Sequence, residues 1–274
     1  MVLVVPRGEF KKSQPLVKNN SFDMFGQLGT VFCLGAIFSA ISILRVGYLF
    51  AGSFLLLLAC SVVMVLVMRK PGENRLLDRE TFGTPLRVLY SVAPVLFSLG
   101  FWCLLVSVPA IATDTLLLSP VQAGLLVAPL GLGLFAAGII PTPLSRVSSI
   151  ATRFSICFVG MGVFFLCGSL VHNTVLVVLC MVCASFFAGW LNPDVARAYI
   201  QVSPVDRAGT AAGISSTMRQ LGFGAGIVFL GVSATPGEAS SLHGALGYIL
   251  TFSSMICFLA ALIFFVYSIR TRNS

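Results

Sequence analysis

Charge is what this sequence has least of. Asp, Glu, Lys and Arg make up 9% of its 274 residues, where soluble domains carry about 25%. A soluble globular domain is thereby excluded. Histidine is scarcer still, and His172 and His243 stand alone in short loops with no carboxylate or thiol at useful spacing. No metal set and no acid–base or nucleophilic constellation can be assembled from such a chain. It therefore reads as a non-enzyme without metal or cofactor. Acids are missing from the middle of the apolar runs: Asp114, Asp194 and Glu238 lie at run ends or in loops. An isolated proton carrier of the usual carboxylate kind is absent with them. Alternating apolar and polar residues of barrel type are lacking too, which leaves helices as the membrane-crossing element.

What the sequence does have is long apolar runs. Hydrophobic residues reach 57% and the mean hydropathy is +1.00. The eight cysteines all fall inside such runs, and the Cys180–Cys183 pair has no second pair or clustered histidine beside it. They read as small buried hydrophobes. Eight spans are expected, at Phe22–Leu44, Tyr48–Met68, Leu86–Ala112, Val121–Ile140, Phe154–Val171, Val175–Leu191, Asp206–Gly231 and Tyr248–Ser268. Residues 1–21 read as a cytoplasmic connector. Its first apolar residues, Met1–Val5, are too short for a signal peptide and look like the frayed end of an earlier helix. Residues 69–85 form a charged loop, and 269–274 a short tail. Ser119-Pro120 is a good helix start, since Ser caps and Pro suits the first turn.

The net charge of +8 does not point to nucleic acid, because the bases are scattered singly between apolar runs. They fix orientation instead. With the N-terminus cytoplasmic, the inner segments hold Arg7, Lys11, Lys12, Lys18, Arg69, Lys70, Arg75, Arg79, Arg87, Arg146, Arg153, Arg197, Arg207, Arg270 and Arg272, and the outer loops hold Arg45 alone. Such a bias satisfies the positive-inside rule for eight spans with both ends inside. A bacterial inner membrane is the expected location.

The stretch from Asp206 to Gly231 organises the rest. Gly209 and Gly213 form one small-xxx-small pair, and Gly222 and Gly226 another, spacing that lets helix backbones approach closely in lipid. Gly124 belongs with these packing glycines. Arg219 is the odd member: with a helix starting near Ala211 it lies roughly 12 Å along the axis. Unpaired there, it costs about 2.5–3.5 kcal/mol on insertion scales.

Arg207, Gly209, Ala211, Gly213, Thr217, Arg219, Gln220, Gly222 and Gly226 spell R-x-G-x-A-x-G-x-x-x-T-x-R-Q-x-G-x-x-x-G. This resembles a segment in the second half of fourteen-helix drug/proton antiporters of the major facilitator superfamily. Ser216 and Phe223 depart from it, where the family usually has Asn and Gly. S-P-x-Q-A-G-L-x-x-x-P at Ser119–Pro129 is similar to the family's tenth-helix entry, and Phe22-Asp23 before Gly26 to its seventh. Thr113 stands where the family commonly has Gln. The connector Pro141–Arg153 resembles a degenerate copy of the superfamily's signature cytoplasmic loop, without its acid.

The resemblance implies an all-α integral membrane fold: two linker helices (22–68) followed by the six-helix C-terminal half of a major facilitator fold (86–268). It covers that second half only. It also implies multidrug or small-molecule efflux by alternating access coupled to protons, with the third, fourth, sixth and seventh spans forming one wall of a cavity. The alternative is a truncated, non-transporting membrane protein or a subunit needing a separate N-terminal half. The partners expected are the lipid bilayer, a small-molecule substrate, and a separate six-helix half or a second copy of the chain.

Within this frame Thr113, Gln122, Thr217, Arg219 and Gln220 are candidate cavity residues. Arg219 and Gln220 read equally as a gate, or as an arginine snorkelling to headgroups beside a glutamine that ties two helices. Asn192, Asp194, Arg197 and Arg207 are candidates for the inner rim, with Asp194 or Asn192 latching onto Arg197 or Arg207. Trp102 reads as an interfacial anchor. The charge bias predicts that green fluorescent protein fused after Ser274 fluoresces while alkaline phosphatase at the same point is inactive; an active phosphatase there would break the eight-span count.

Overall fold

A computed structural model of the chain describes residues 84–114, 117–146, 149–204, 208–233 and 242–272. The expected connector 1–21, the two linker helices at 22–68, nearly all of the loop 69–85, and Arg207 lie outside the described residues.

Among the described residues the regular structure is helical. The first span is built in three pieces. Helix α1 (Pro85–Phe97) runs into a π-turn at Ser98–Trp102, and helix α2 (Leu104–Asp114) carries on from it. Then come α3 (Pro120–Ile139), a 3₁₀ turn at Pro143–Arg146, α4 (Ile150–Leu170), α5 (Thr174–Val202), α6 (Ala208–Ser233) and α7 (Leu242–Arg272). Five helices are long and apolar enough to cross a membrane: Pro85–Thr113, Pro120–Ile139, Ile150–Leu170, Thr174–Val202 and Gly244–Arg270. This is the build of an all-α integral membrane protein. The sixth, α6, has spanning length, 26 residues or about 39 Å, but Arg219, Gln220 and its small residues make it less apolar than the rest.

Local chemistry sets the starts. Thr84 and Ser119 cap α1 and α3, each followed by proline in the first turn. At Ser119 the cap is a full capping box: the Gln122 side-chain oxygen accepts from the Ser119 amide at 3.0 Å, and Ser119 Oγ accepts from the Gln122 amide at 3.4 Å. Reciprocal satisfaction of two orphan amides explains why the helix begins there. Ser149 caps α4, and Asn173 caps α5 through its side-chain oxygen, 2.9 Å from the Val175 amide.

One expectation is corrected at the far end of α5. The run was expected to stop at Leu191, before Asn192-Pro193-Asp194, but the helix continues through Pro193 to Val202. A proline inside a membrane helix removes one backbone bond, and neighbouring helices can hold the geometry.

Three couples make up the bundle. α4 and α7 pack along their length, as do α3 and α5, while α1 and the π-turn lie against α6; α4 also packs on α5. The α1–α2 span is the most deeply buried of the five. An aromatic stack joins α1, α4 and α7: Phe154 and Phe264 meet edge-on at 4.9 Å, with Tyr90 and Phe158 against them.

Small residues set the closest approaches. A Cβ at Gly222 would strike the Val95 carbonyl, and one at Gly226 would sit 2.6 Å from Cys103 Cβ. A Cβ at Gly133 would meet Ser185 Oγ, and one at Gly189 would meet Ala137. Two small-xxx-small pairs, Gly133/Ala137 and Ser185/Gly189, thus face each other across α3 and α5. The packing expected of Gly124, Gly209 and Gly213 does not occur among the described residues, since a Cβ at each meets nothing within 4 Å. This separates two kinds of glycine by a measurement. Gly222→Val is expected to lower stability by about 1–3 kcal/mol through overpacking, while Gly213→Val leaves it nearly unchanged; thermal unfolding of the detergent-purified chain followed by fluorescence size exclusion checks both.

Candidate functional site

The polar side chains of the bundle fall into two groups. The first gathers at the end carrying the start of α1. Arg153, in the first turn of α4, places Nη1 3.2 Å from Asp194 Oδ2 on α5. Both side chains are about a quarter exposed (21% and 26%), so solvent screens the pair only in part. Beside it Thr152 Oγ1 and Ser268 Oγ lie 2.7 Å apart, tying α4 to α7. Arg87 Nε donates to the Val202 carbonyl at 3.0 Å, closing the end of α5 with the start of α1. Trp190 Nε1 donates to the Ile140 carbonyl at 3.0 Å, which satisfies the C-terminal end of α3 from α5.

At the rim Asp194 bonds across helices to Arg153, and no ion pair to Arg197 occurs among the described residues; Arg207, the other partner expected, lies outside them. Arg197 lies three residues on and is exposed. Asn192 Oδ1 is buried without a hydrogen-bond partner among the described residues. Arg153 is the residue that sequence reasoning passed over. The loop it closes lacks an acid, and the acid is supplied from Asp194 on another helix.

The second group lies along α6. Buried positions Ala211, Ile214, Ser215, Gly222, Gly226 and Leu230 form the side turned toward α1 and the core. The opposite side presents Gly209, Ala212, Gly213, Ser216 and Gln220, all exposed. Thr217 is half-buried at the edge of that face, and Arg219 is half-buried on the other flank, beside the packed side. Because α6 begins at Ala208, Arg219 stands eleven residues in, about 16 Å along a helix rising 1.5 Å per residue. It is thus deeper than the sequence suggested. No acidic side chain reaches it among the described residues; the ion pair there is Arg153–Asp194.

The other helices present a different outside. α4 exposes Ile156, Val159, Val163, Leu166 and Leu170; α7 exposes Met255, Leu259, Leu262, Phe265, Val266 and Ile269. On α6 the exposed large hydrophobic is Phe229, near its end. Large apolar side chains are what lipid contact favours, and small residues mark helix–helix surfaces. The α6 face is therefore built for contact with protein or water.

The five cavity candidates do not converge. Thr217, Arg219 and Gln220 share about one turn of α6. Thr113 is the penultimate residue of α2, eighteen residues beyond the Val95–Gly222 contact, on the order of 30 Å away along the bundle. Its hydroxyl lies 3.1 Å from both the Pro109 and Ala110 carbonyls of its own helix. Gln122 is committed to the capping box that starts α3. Trp102, expected at an interface, sits near the middle of its span on the π-turn, half-buried, with Nε1 buried and without a partner among the described residues. A small apolar cleft at the far end, lined by Leu126, Val171, Thr174, Val177 and Met181, is remote from both polar groups. Among the described residues no group of three His, Cys, Asp or Glu is placed to hold a metal.

No family model matches the chain, and no curated protein sequence matches it.

The Arg153–Asp194 bond gives a direct test. In a double-mutant cycle of Arg153→Ala and Asp194→Ala, the two losses of thermal stability are expected to be non-additive, with a coupling of about 0.5–3 kcal/mol; strict additivity would show that the contact carries no energy.

Proposed function

We propose that the chain is the transporting half of a secondary carrier of the major facilitator type, moving amphipathic small molecules outward by alternating access coupled to protons. The observation that carries this reading is the outward face of α6. A helix that spends its exposed side on Gly209, Ala212, Gly213, Ser216 and Gln220, with an arginine at mid-depth beside it, is costly against lipid. It is economical against a second bundle or a water-filled cavity. The motif that resembles the drug/proton antiporters occupies this same helix, from Arg207 to Gly226. The resemblance gives α1–α2, α3, α5 and α6 as the wall that would border substrate, and α3 and α5 bring to it exposed apolar side chains such as Leu125, Phe135 and Leu179.

Within this reading Arg219 and Gln220 contact substrate or gate the cavity, and Arg153–Asp194 latches one end of the half. The coupling acid would come from the opposing bundle. Asp194 is held by Arg153, and the described residues offer no other acidic side chain within the spans. That same observation favours a second reading, a membrane subunit that is silent by itself and needs a separate N-terminal half.

Dye efflux from cells expressing the chain, with and without a six-helix partner bundle and with a proton uncoupler, separates the two. Uncoupler-sensitive efflux only with the partner is the expected result, and Arg219→Ala is expected to reduce it several-fold at equal expression. Efflux from the chain alone would demand a homo-oligomer. No efflux under either condition would leave the silent subunit.

A further inference from the structure

The π-turn at Ser98–Trp102 is the irregular point of the most deeply buried span. It follows Pro94, whose ring removes one backbone donor from α1. At the turn the Cys103 amide donates to the Ser98 carbonyl, five residues back, at 3.1 Å. In an α-helix that amide would go to Leu99, four residues back. The Leu99 carbonyl instead receives the Cys103 thiol at 2.9 Å. A side chain thus stands in for the backbone donor at the Leu99 carbonyl, from which the change of register withdraws the Cys103 amide.

Two further features belong to the same turn. Ser98 Oγ and Trp102 Nε1 are buried with no partner among the described residues, which is rare in a settled core and calls for a reason. Both neighbouring helices also come close with small contacts: Gly226 of α6 lies over Cys103 and Leu99, and a Cβ added at Gly100 would stand 3.2–3.3 Å from Cys257 and Ile256 of α7. No side chain at positions 100 or 226 would catch on a rotating helix.

From these we propose that the turn is a register switch, exchanging between the π form seen here and an α form in which the Cys103 amide bonds Leu99 and the thiol is released. The exchange turns α2 relative to α1 by one residue's worth of rotation, about 100°. Trp102, Val106 and Thr113 lie on the less buried side of this span, and the turn swings that side around. The ring of Trp102, packed against Phe97 and Phe101 at 6.3 and 5.8 Å, changes its surroundings with it. The inference concerns the helix alone and does not depend on the chain being a carrier.

The chain has two tryptophans, so Trp190→Phe leaves Trp102 as a single reporter. The test is ¹⁹F NMR of this full chain labelled with 5-fluorotryptophan in nanodiscs. Two resonances, or one broadened by exchange, are expected. Cys103→Ala, which removes the thiol from Leu99, is expected to shift the population or the averaged position. Cys257→Ala, which touches the turn without bonding to it, is expected to leave them unchanged. One narrow resonance unmoved by Cys103→Ala would overturn the switch, as would two resonances whose ratio ignores it. Should Cys103→Ala fail to fold, the spectrum of the Trp190→Phe chain decides: exchange supports the switch, and a single narrow line at all temperatures rejects it.

Discussion

Backbone touching backbone is the contact on which the bundle depends. Lipid tails are as apolar as leucine, so helices in a bilayer gain nothing from hiding hydrophobic surface and must gain from close packing. Gly222 brings α6 onto the Val95 carbonyl, and Gly133 and Gly189 bring α3 onto α5. Each of these sites requires hydrogen where any other residue has a side chain. The aromatic stack of Tyr90, Phe154, Phe158 and Phe264 fills the wider space left elsewhere. Glycine contacts fix the distance between couples, and rings fill the interior that this distance creates.

Polar chemistry is placed where that framework has slack. At one end, Arg153–Asp194, Thr152–Ser268, Arg87–Val202 and Trp190–Ile140 join five helices through side chains that water can partly reach. Along α6 the polar and small residues sit on the side opposite the glycine contact. The same helix therefore uses Gly222 and Gly226 to hold its own bundle together and leaves Gly209 and Gly213 open. Identical spacing serves two purposes, set by which face of the helix each pair occupies.

The sequence made some of this legible and hid the rest for physical reasons. Span positions follow from hydropathy, which is local, and five of them stand as apolar helices of crossing length. Ser119-Pro120 announced a helix start, because capping involves residues three apart. The length of α5 was hidden: Asn192-Pro193-Asp194 looks like a stop, and only packing carries a helix through it. The partner of Asp194 was hidden as well, since Arg153 is forty-one positions away in sequence and adjacent only after α4 meets α5. The small pair Ser185/Gly189 was readable by its spacing but stands out less among larger neighbours than glycine pairs do. The π-turn leaves no local mark beyond Pro94. Cys103, Gly226 and Gly100 come together around it only once the helices have packed.

The couples also have a direction. Gly133 with Ser185 and Ala137 with Gly189 advance together along α3 and α5, so that couple is parallel; Thr152 with Ser268 and Phe154 with Phe264 run in opposite senses, so α4 and α7 are antiparallel. Helix dipoles add in a parallel couple and cancel in an antiparallel one. The α3–α5 couple and the α1–α6 couple each carry an aligned dipole, but the two point opposite ways, because the start of α1 meets the end of α5 where Arg87 bonds the Val202 carbonyl. The two aligned couples therefore offset each other, and α4–α7 is balanced within itself. Each end of the bundle thus sets helix starts beside helix ends, positive next to negative, and the field an approaching ion meets is local to each helix terminus.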